Sequence, residues 1–277
     1  MYGASNDPYL LRENARPDGL YNNWGYNDPS GKAVRSQTLN TAQANLILIT
    51  AGDSNMASVG PSAFTPTNSS VVDEINMYNG VIYAAVDPLL GPTISSLGPG
   101  GLSARVADQI ISAGSFARVI IAPCAVGGST TTMWAAGGPL YTRVPVLMAR
   151  LAALGITPST PNVTFAMVYQ IGANEHGIAQ ATFQANYTQM VVKAQNAGFV
   201  GRVFVPEYSI LANVADTTIE AAEAALVDNV TYFFGGNIDS LTGSTNRQAD
   251  GTHLTTAGQA SASTLIYNAM HASGAPF

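Results

Sequence analysis

Continuous apolar runs rich in branched side chains occupy residues 45–51, 119–122 and 163–169. Such runs are the pattern of strands buried on both faces of a parallel sheet. Residues 81–86, 203–205 and 230–234 are further strand candidates. Between the strands, apolar residues recur at helical spacing. Leu102, Val106 and Ile110 run up to Gly114, Val144, Leu147, Leu151 and Leu154 run up to Gly155, and Phe183, Tyr187, Met190, Val191 and Ala194 run up to Gly198. Each glycine stands where a helix end needs a left-handed residue. Thr217-x-x-Glu220 reads as a capping box opening another helix. Ala262, Leu265, Ile266, Ala269 and Met270 mark a helix at the C-terminus. The connections exceed the roughly dozen residues that a parallel crossover requires. The pattern predicts a doubly wound α/β sheet with helices on both faces.

Residues 1–40 show no sustained period, and Asn-Asp-Pro occurs in them twice, at 6–8 and 27–29. They are expected to form an N-terminal arm or a junction with another module, leaving 41–277 as the domain. Tyr21, Trp24 and Tyr26 are candidates to pack the arm down. Residues 57–70 read as a long polar loop suited to a functional surface.

Composition narrows the function classes. The net charge is −6 with no basic cluster, which argues against a nucleic-acid partner. No apolar stretch approaches the ~20 residues of a membrane span. Only 10% of residues are charged, so Ser, Thr, Asn, Gln and Gly must cover much of the surface. That surface suggests an extracellular, periplasmic or virion-associated protein, although the first residues lack the charged and apolar regions of a secretory leader. The lone cysteine, Cys124, forms no intrachain disulfide and reads as a buried, inert thiol. The three histidines are well separated, so no structural zinc site is expected. The oligomeric state is not legible.

Three strand ends carry small and polar clusters: Gly52-Asp53-Ser54, Gly127-Gly128-Ser129 and Gly172-Ala173-Asn174. In a parallel sheet all three project from one edge, where α/β folds collect their chemistry. A fourth cluster, Asp250-Gly251-Thr252-His253, precedes the last helix. Together these supply what ester hydrolysis needs. Ser54 offers a nucleophilic hydroxyl, His253 a base, and Asp250 a carboxylate one tight turn from the imidazole. The Ser54 N–H, the Gly128 N–H and the Asn174 carboxamide are candidate oxyanion donors, with Gly127 as donor if the register shifts by one. Asp53 reads as a turn-former rather than a proton carrier. No Gly-x-Ser-x-Gly elbow, phosphate-binding loop or dinucleotide fingerprint is present.

In order and spacing these four blocks resemble those of the SGNH (GDSL-type) hydrolases. The resemblance spans residues 46 to 258. It implies a three-layer α/β/α, flavodoxin-like sandwich with a central parallel sheet of about five strands. It also implies a cofactor-free serine esterase working through a Ser54 acyl-enzyme, with Ser54, Asp250 and His253 catalytic. Ser54-Asn55-Met56, Met77-Tyr78-Asn79, Asp87-Pro88-Leu89 and Gly127-Gly128-Ser129 with Trp134 look like the sialate O-acetylesterase and acetylxylan esterase branch. That branch implies an acetylated carbohydrate substrate, with Met56, Gly127, Trp134 and Glu175 as candidate substrate contacts. Glu175 stands where the broader family usually carries Asp, and Asp53 where the branch often has Gln. The rival readings are an esterase or lipase without sugar specificity, an acyltransferase, and a carbohydrate-binding module on the same scaffold.

Overall fold

The structure, a computed structural model, describes residues 25–95 and 97–277. Tyr21 and Trp24 lie outside them. The elements in chain order are β1 (Asn45–Gly52), β2 (Val72–Ile75), β3 (Ile82–Ala84), α1 (Ser103–Ser112), β4 (Arg118–Pro123), α2 (Thr131–Trp134) and α3 (Arg143–Ala153). They continue with β5 (Val163–Gln170), α4 (Gln180–Asn196), β6 (Arg202–Glu207), α5 (Thr217–Leu226), β7 (Tyr232–Asn237), α6 (Gly243–Asn246) and α7 (Thr256–Ala272). The strands form one sheet in the order β3-β2-β4-β1-β5-β6-β7.

The sheet has seven strands rather than about five, and β3 runs antiparallel to β2 instead of joining a wholly parallel sheet. The strand absent from the hydropathy pattern is β2. Its sequence, Val-Asp-Glu-Ile, places two acids inside the sheet. Asp73 is held by Arg118 Nε at 2.8 Å and Arg35 Nε at 3.2 Å, and Glu74 by Lys32 Nζ at 2.6 Å. Buried charge is tolerated there only because it is paired. Strand β6 also runs beyond residues 203–205, passing through Pro206 with a register shift against β7. Proline has no N–H to give the ladder.

Side chains alternate across the sheet with the strand period of two. Ile47, Ile49, Ile120, Ala122, Phe165 and Met167 face one apolar layer with α3, α4 and α5. Leu46, Leu48, Val119, Ile121, Ala166 and Val168 face the other with α1 and α7. A side chain such as Leu48, fully buried, contributes ~1.5–3 kcal/mol over exposure. Helix α5 begins one residue earlier than the capping box implied. Asp216 is its N-cap, accepting the Thr218 N–H at 2.9 Å and the Ile219 N–H at 3.4 Å. A carboxylate at the positive helix terminus satisfies the same orphan donors.

Residues 33–35 lie along the β3 edge, and Ser36 and Thr38 are bonded to Arg118 of β4. Arg35 N–H donates to the Ile82 carbonyl, Ala84 N–H donates to the Ala33 carbonyl, and Tyr26 exchanges backbone bonds with Gly91 and Pro92. Residues 57–60 are buried rather than forming the start of an open loop, with Ser58 and Gly60 bonded to the 93–100 segment. No described helix is long and apolar enough to cross a membrane.

Candidate active site

The chain leaves β1 towards β2 and leaves β5 towards β6, on opposite sides. A crevice therefore opens at the carboxyl ends of β1 and β5. Strand β1 stops at Gly52, whose φ of +126° is in the region glycine favours. A Cβ there would lie 1.7 Å from the Gln170 carbonyl oxygen, so only glycine lets β1 close so tightly on β5. Asp53 N–H donates to that carbonyl at 3.0 Å, and Ala57 N–H returns to the Asp53 carbonyl at 3.0 Å. The resulting turn presents Ser54, which is 6% exposed.

The fourth block folds on its own carboxylate. Asp250 Oδ1 accepts the N–H groups of Thr252 and His253, each at 2.9 Å. Asp250 Oδ2 lies 2.6 Å from His253 Nδ1. Burial works to raise the Asp250 carboxyl, but hydrogen bonds from the His253 ring and from the His253 and Thr252 amides outweigh it and hold the group below its ordinary value. An anionic Asp250 keeps the proton on Nδ1 and leaves Nε2 as the basic nitrogen. Asn55 ties this loop to the Ser54 turn: its carboxamide donates to the Thr252 carbonyl at 3.1 Å and accepts the Leu254 N–H at 3.0 Å. The structure thus brings Asp250 and His253 together and fastens their loop to the neighbour of Ser54. Among the described residues no hydrogen bond joins Ser54 to His253. Catalytic hydrogen bonds often tighten only when substrate is bound.

The second block runs beside Ser54. A Cβ at Gly127 would sit 3.8 Å from Ser54 Cβ. The Gly127 N–H is already given to Thr93 Oγ1 at 2.6 Å. Gly128 is exposed, has a φ of +71°, and donates to no partner among the described residues. Of the two glycines, Gly128 is therefore the one with an N–H to spare. The Asn174 carboxamide is half-buried and lies 3.4 Å from both Asp53 Oδ2 and the Ser129 carbonyl oxygen. These contacts are long, and they place the amide beside the side chain of Asp53, the residue before Ser54.

Three candidate substrate contacts are buried. Trp134 is fully buried, donates Nε1–H to Ser129 Oγ at 2.9 Å and packs edge-on against Tyr169. Met56 is 2% exposed, inside the α1 and α7 layer, with its sulfur 3.4 Å from Ser103 Oγ. Glu175 is buried and accepts the Thr131 N–H. Burial raises its carboxyl, with the Thr131 amide and hydroxyl opposing. Each of the three side chains has internal partners. Asp53 is fully buried, and burial pushes its carboxyl up to about 8 against the pull of the Asn55 amide, the Tyr208 phenol and the Gly172 amide.

Asn55 is named from sequence only within the Ser54-Asn55-Met56 stretch and without a role, and Tyr208 and Thr93 are not singled out by sequence pattern. Asn55 carried a signal, being a polar side chain beside the nucleophile candidate. Tyr208, just beyond β6, and Thr93 carried none. Cys124 is buried, and burial pushes its thiol up to about 12. His176 lies in the loop beyond the third block with Nε2 2.8 Å from the Ser209 carbonyl oxygen, and His271 Nδ1 is 3.1 Å from the Phe277 carbonyl oxygen. Among the described residues no group of three or more His, Cys, Asp or Glu side chains is arranged to hold a metal ion.

No family model matches the sequence, and no curated protein matches it. Solved structures share the fold. A protein from Arabidopsis thaliana superposes with a TM-score of 0.61 at 17% identity, over 83% of this chain and 98% of that one. A Clostridium thermocellum family 3 carbohydrate esterase superposes with a TM-score of 0.52 at 12% identity, over 82% of this chain and 96% of that one. At these identities the likeness is one of fold.

Proposed function

We propose that the chain is a serine ester hydrolase of SGNH type that removes acetyl groups from a carbohydrate through a Ser54 acyl-enzyme. The observation that carries this reading is the Asp250–His253 pair, 2.6 Å apart, on a loop hydrogen-bonded to the residue after Ser54. Ser54 Oγ attacks the ester carbonyl carbon while His253 Nε2 takes the hydroxyl proton. The oxyanion forms against the N–H groups of Ser54 and Gly128 and the Asn174 carboxamide. When the intermediate collapses, the C–O bond to the alcohol breaks and the alcohol oxygen takes the proton back from His253. Water then attacks the acyl-enzyme, gives its proton to His253 and releases acetate, and Ser54 recovers its proton. Asp250 stabilises the imidazolium that forms twice in the cycle. The choice of a sugar ester is supported by the stretches that resemble the sialate O-acetylesterase and acetylxylan esterase branch and by the carbohydrate esterase of the same fold.

Serine-directed labelling tests the nucleophile. Incubation with an organophosphonate, followed by intact mass and peptide mapping, should place one adduct on Ser54 and none in Ser54→Ala. An unlabelled wild type would contradict the assignment and return the chain to a binding role, and an adduct confined to another residue would contradict Ser54 as the nucleophile.

A further inference from the structure

We propose that Asn55 is the positioning residue that sets His253 against Ser54, and that Tyr208 braces it. This inference rests on the esterase reading above. Asn55 is 1% exposed, and its carboxamide is fully engaged. Nδ2 donates to the Tyr208 phenol oxygen at 2.7 Å and to the Thr252 carbonyl at 3.1 Å, while Oδ1 accepts the Leu254 N–H at 3.0 Å. Thr252 and Leu254 flank His253, so one carboxamide grips the backbone on both sides of the base. A carboxylate lacks the donors and a hydrocarbon lacks everything, so few side chains of this size can replace it.

Arg247 Nη1 also donates to the Thr252 carbonyl, at 2.8 Å, but it comes from the same loop five residues away. Its Nη2 lies 3.3 Å from both the Ile238 carbonyl and Asp239 Oδ1, so it ties the loop to the end of β7 and not to the Ser54 turn. The Asn55 bonds span 197 and 199 positions of sequence and connect the loop to the Ser54 turn. Tyr208 is fully buried at the end of β6 and orients the Nδ2 side of the amide. A displacement of about 1 Å in a catalytic group costs on the order of 10²-fold in rate. Gln248 N–H to the His253 carbonyl at 2.7 Å and Ala212 N–H to Thr252 Oγ1 at 2.8 Å hold the same loop from other sides, and the Asn55 clamp is what ties it to the Ser54 turn.

Asn55→Ala, His253→Ala and the double variant are compared on p-nitrophenyl acetate, each checked for folding by its melting transition. In the wild-type background Asn55→Ala should lower kcat on the order of 10²-fold with KM within about threefold. In the His253→Ala background the same change should cost less than about threefold, because a residue acting only through His253 has nothing left to position. A folded Asn55→Ala enzyme with kcat within about threefold of wild type overturns the proposal, as does a full additive loss in the double variant. If Asn55→Ala does not fold, Tyr208→Phe takes its place. The expected result is then a roughly tenfold loss of kcat that vanishes without His253, and an unchanged kcat overturns the proposal. An active wild type with an indifferent Asn55→Ala overturns this inference alone. A wild type that cleaves no ester overturns the esterase reading and this inference with it.

Discussion

The carboxylate of Glu175 accepts the backbone N–H of Thr131, joining the loop after β5 to the first residue of α2. Both residues are buried, so the bond links the Asn174 and Gly128 loops from beneath. Glu175→Ala would leave a buried N–H without an acceptor, at a cost of about 1–3 kcal/mol. Glu175→Gln keeps an acceptor oxygen in place. The expected outcome is a clear fall in melting temperature for the alanine variant and near wild-type stability and KM for the glutamine variant. A selective rise in KM for Glu175→Gln would restore the substrate-contact role expected from the sequence.

The oxyanion assignment makes a separate kinetic prediction. Removing one such donor typically costs ~10²–10³ in turnover. Asn174→Ala should therefore lower kcat by that factor on p-nitrophenyl acetate while leaving KM nearly unchanged. A purely KM effect would move Asn174 from transition-state stabilisation to ground-state binding.

Stability should depend on pH through Asp53. Burial raises its carboxyl to about 8 in the folded protein, whereas an aspartate in the unfolded chain titrates near ~4. Between those values the folded state holds a proton that the unfolded chain has lost. Its contribution is complete below the unfolded value and disappears as pH rises through about 8. Asp87, raised chiefly by burial to about 7, acts in the same direction. Melting temperature should fall from pH 5 to pH 9, and Asp53→Asn, which mimics the protonated acid, should flatten that decline. An Asp53→Asn protein with the wild-type slope would assign the pH dependence elsewhere.

The arm role for residues 1–40 is tested at Lys32, which is 8% exposed and pairs at 2.6 Å with fully buried Glu74. Removing one partner of a buried pair costs roughly 3–5 kcal/mol. Lys32→Met should lower stability by that amount in chemical denaturation, and a chain starting at residue 41 should lose at least as much. Unchanged unfolding midpoints would remove residues 25–40 from the stabilising structure.

The parts of the fold that could be read from sequence were those whose cause is local. Strands β1, β4 and β5 are apolar because both faces are covered, so composition alone reveals them. The Asp250–His253 pair was legible because its members are three residues apart. Strand β2 was hidden because Asp73 and Glu74 look like surface residues until Arg35, Arg118 and Lys32 are brought to them from elsewhere in the chain. Trp134, Met56 and Glu175 have the chemistry of substrate contacts, and their burial is visible only in the structure. Asn55 needed knowledge of a loop returning from 197 positions away.

The central claim is that Ser54 carries an acyl group during ester cleavage. Initial rates on p-nitrophenyl esters from acetate to octanoate, for wild type and Ser54→Ala side by side, test it most directly. The expected result is the highest wild-type rate on acetate and a loss of ~10³-fold or more in the variant. Equal rates in the two proteins would contradict it.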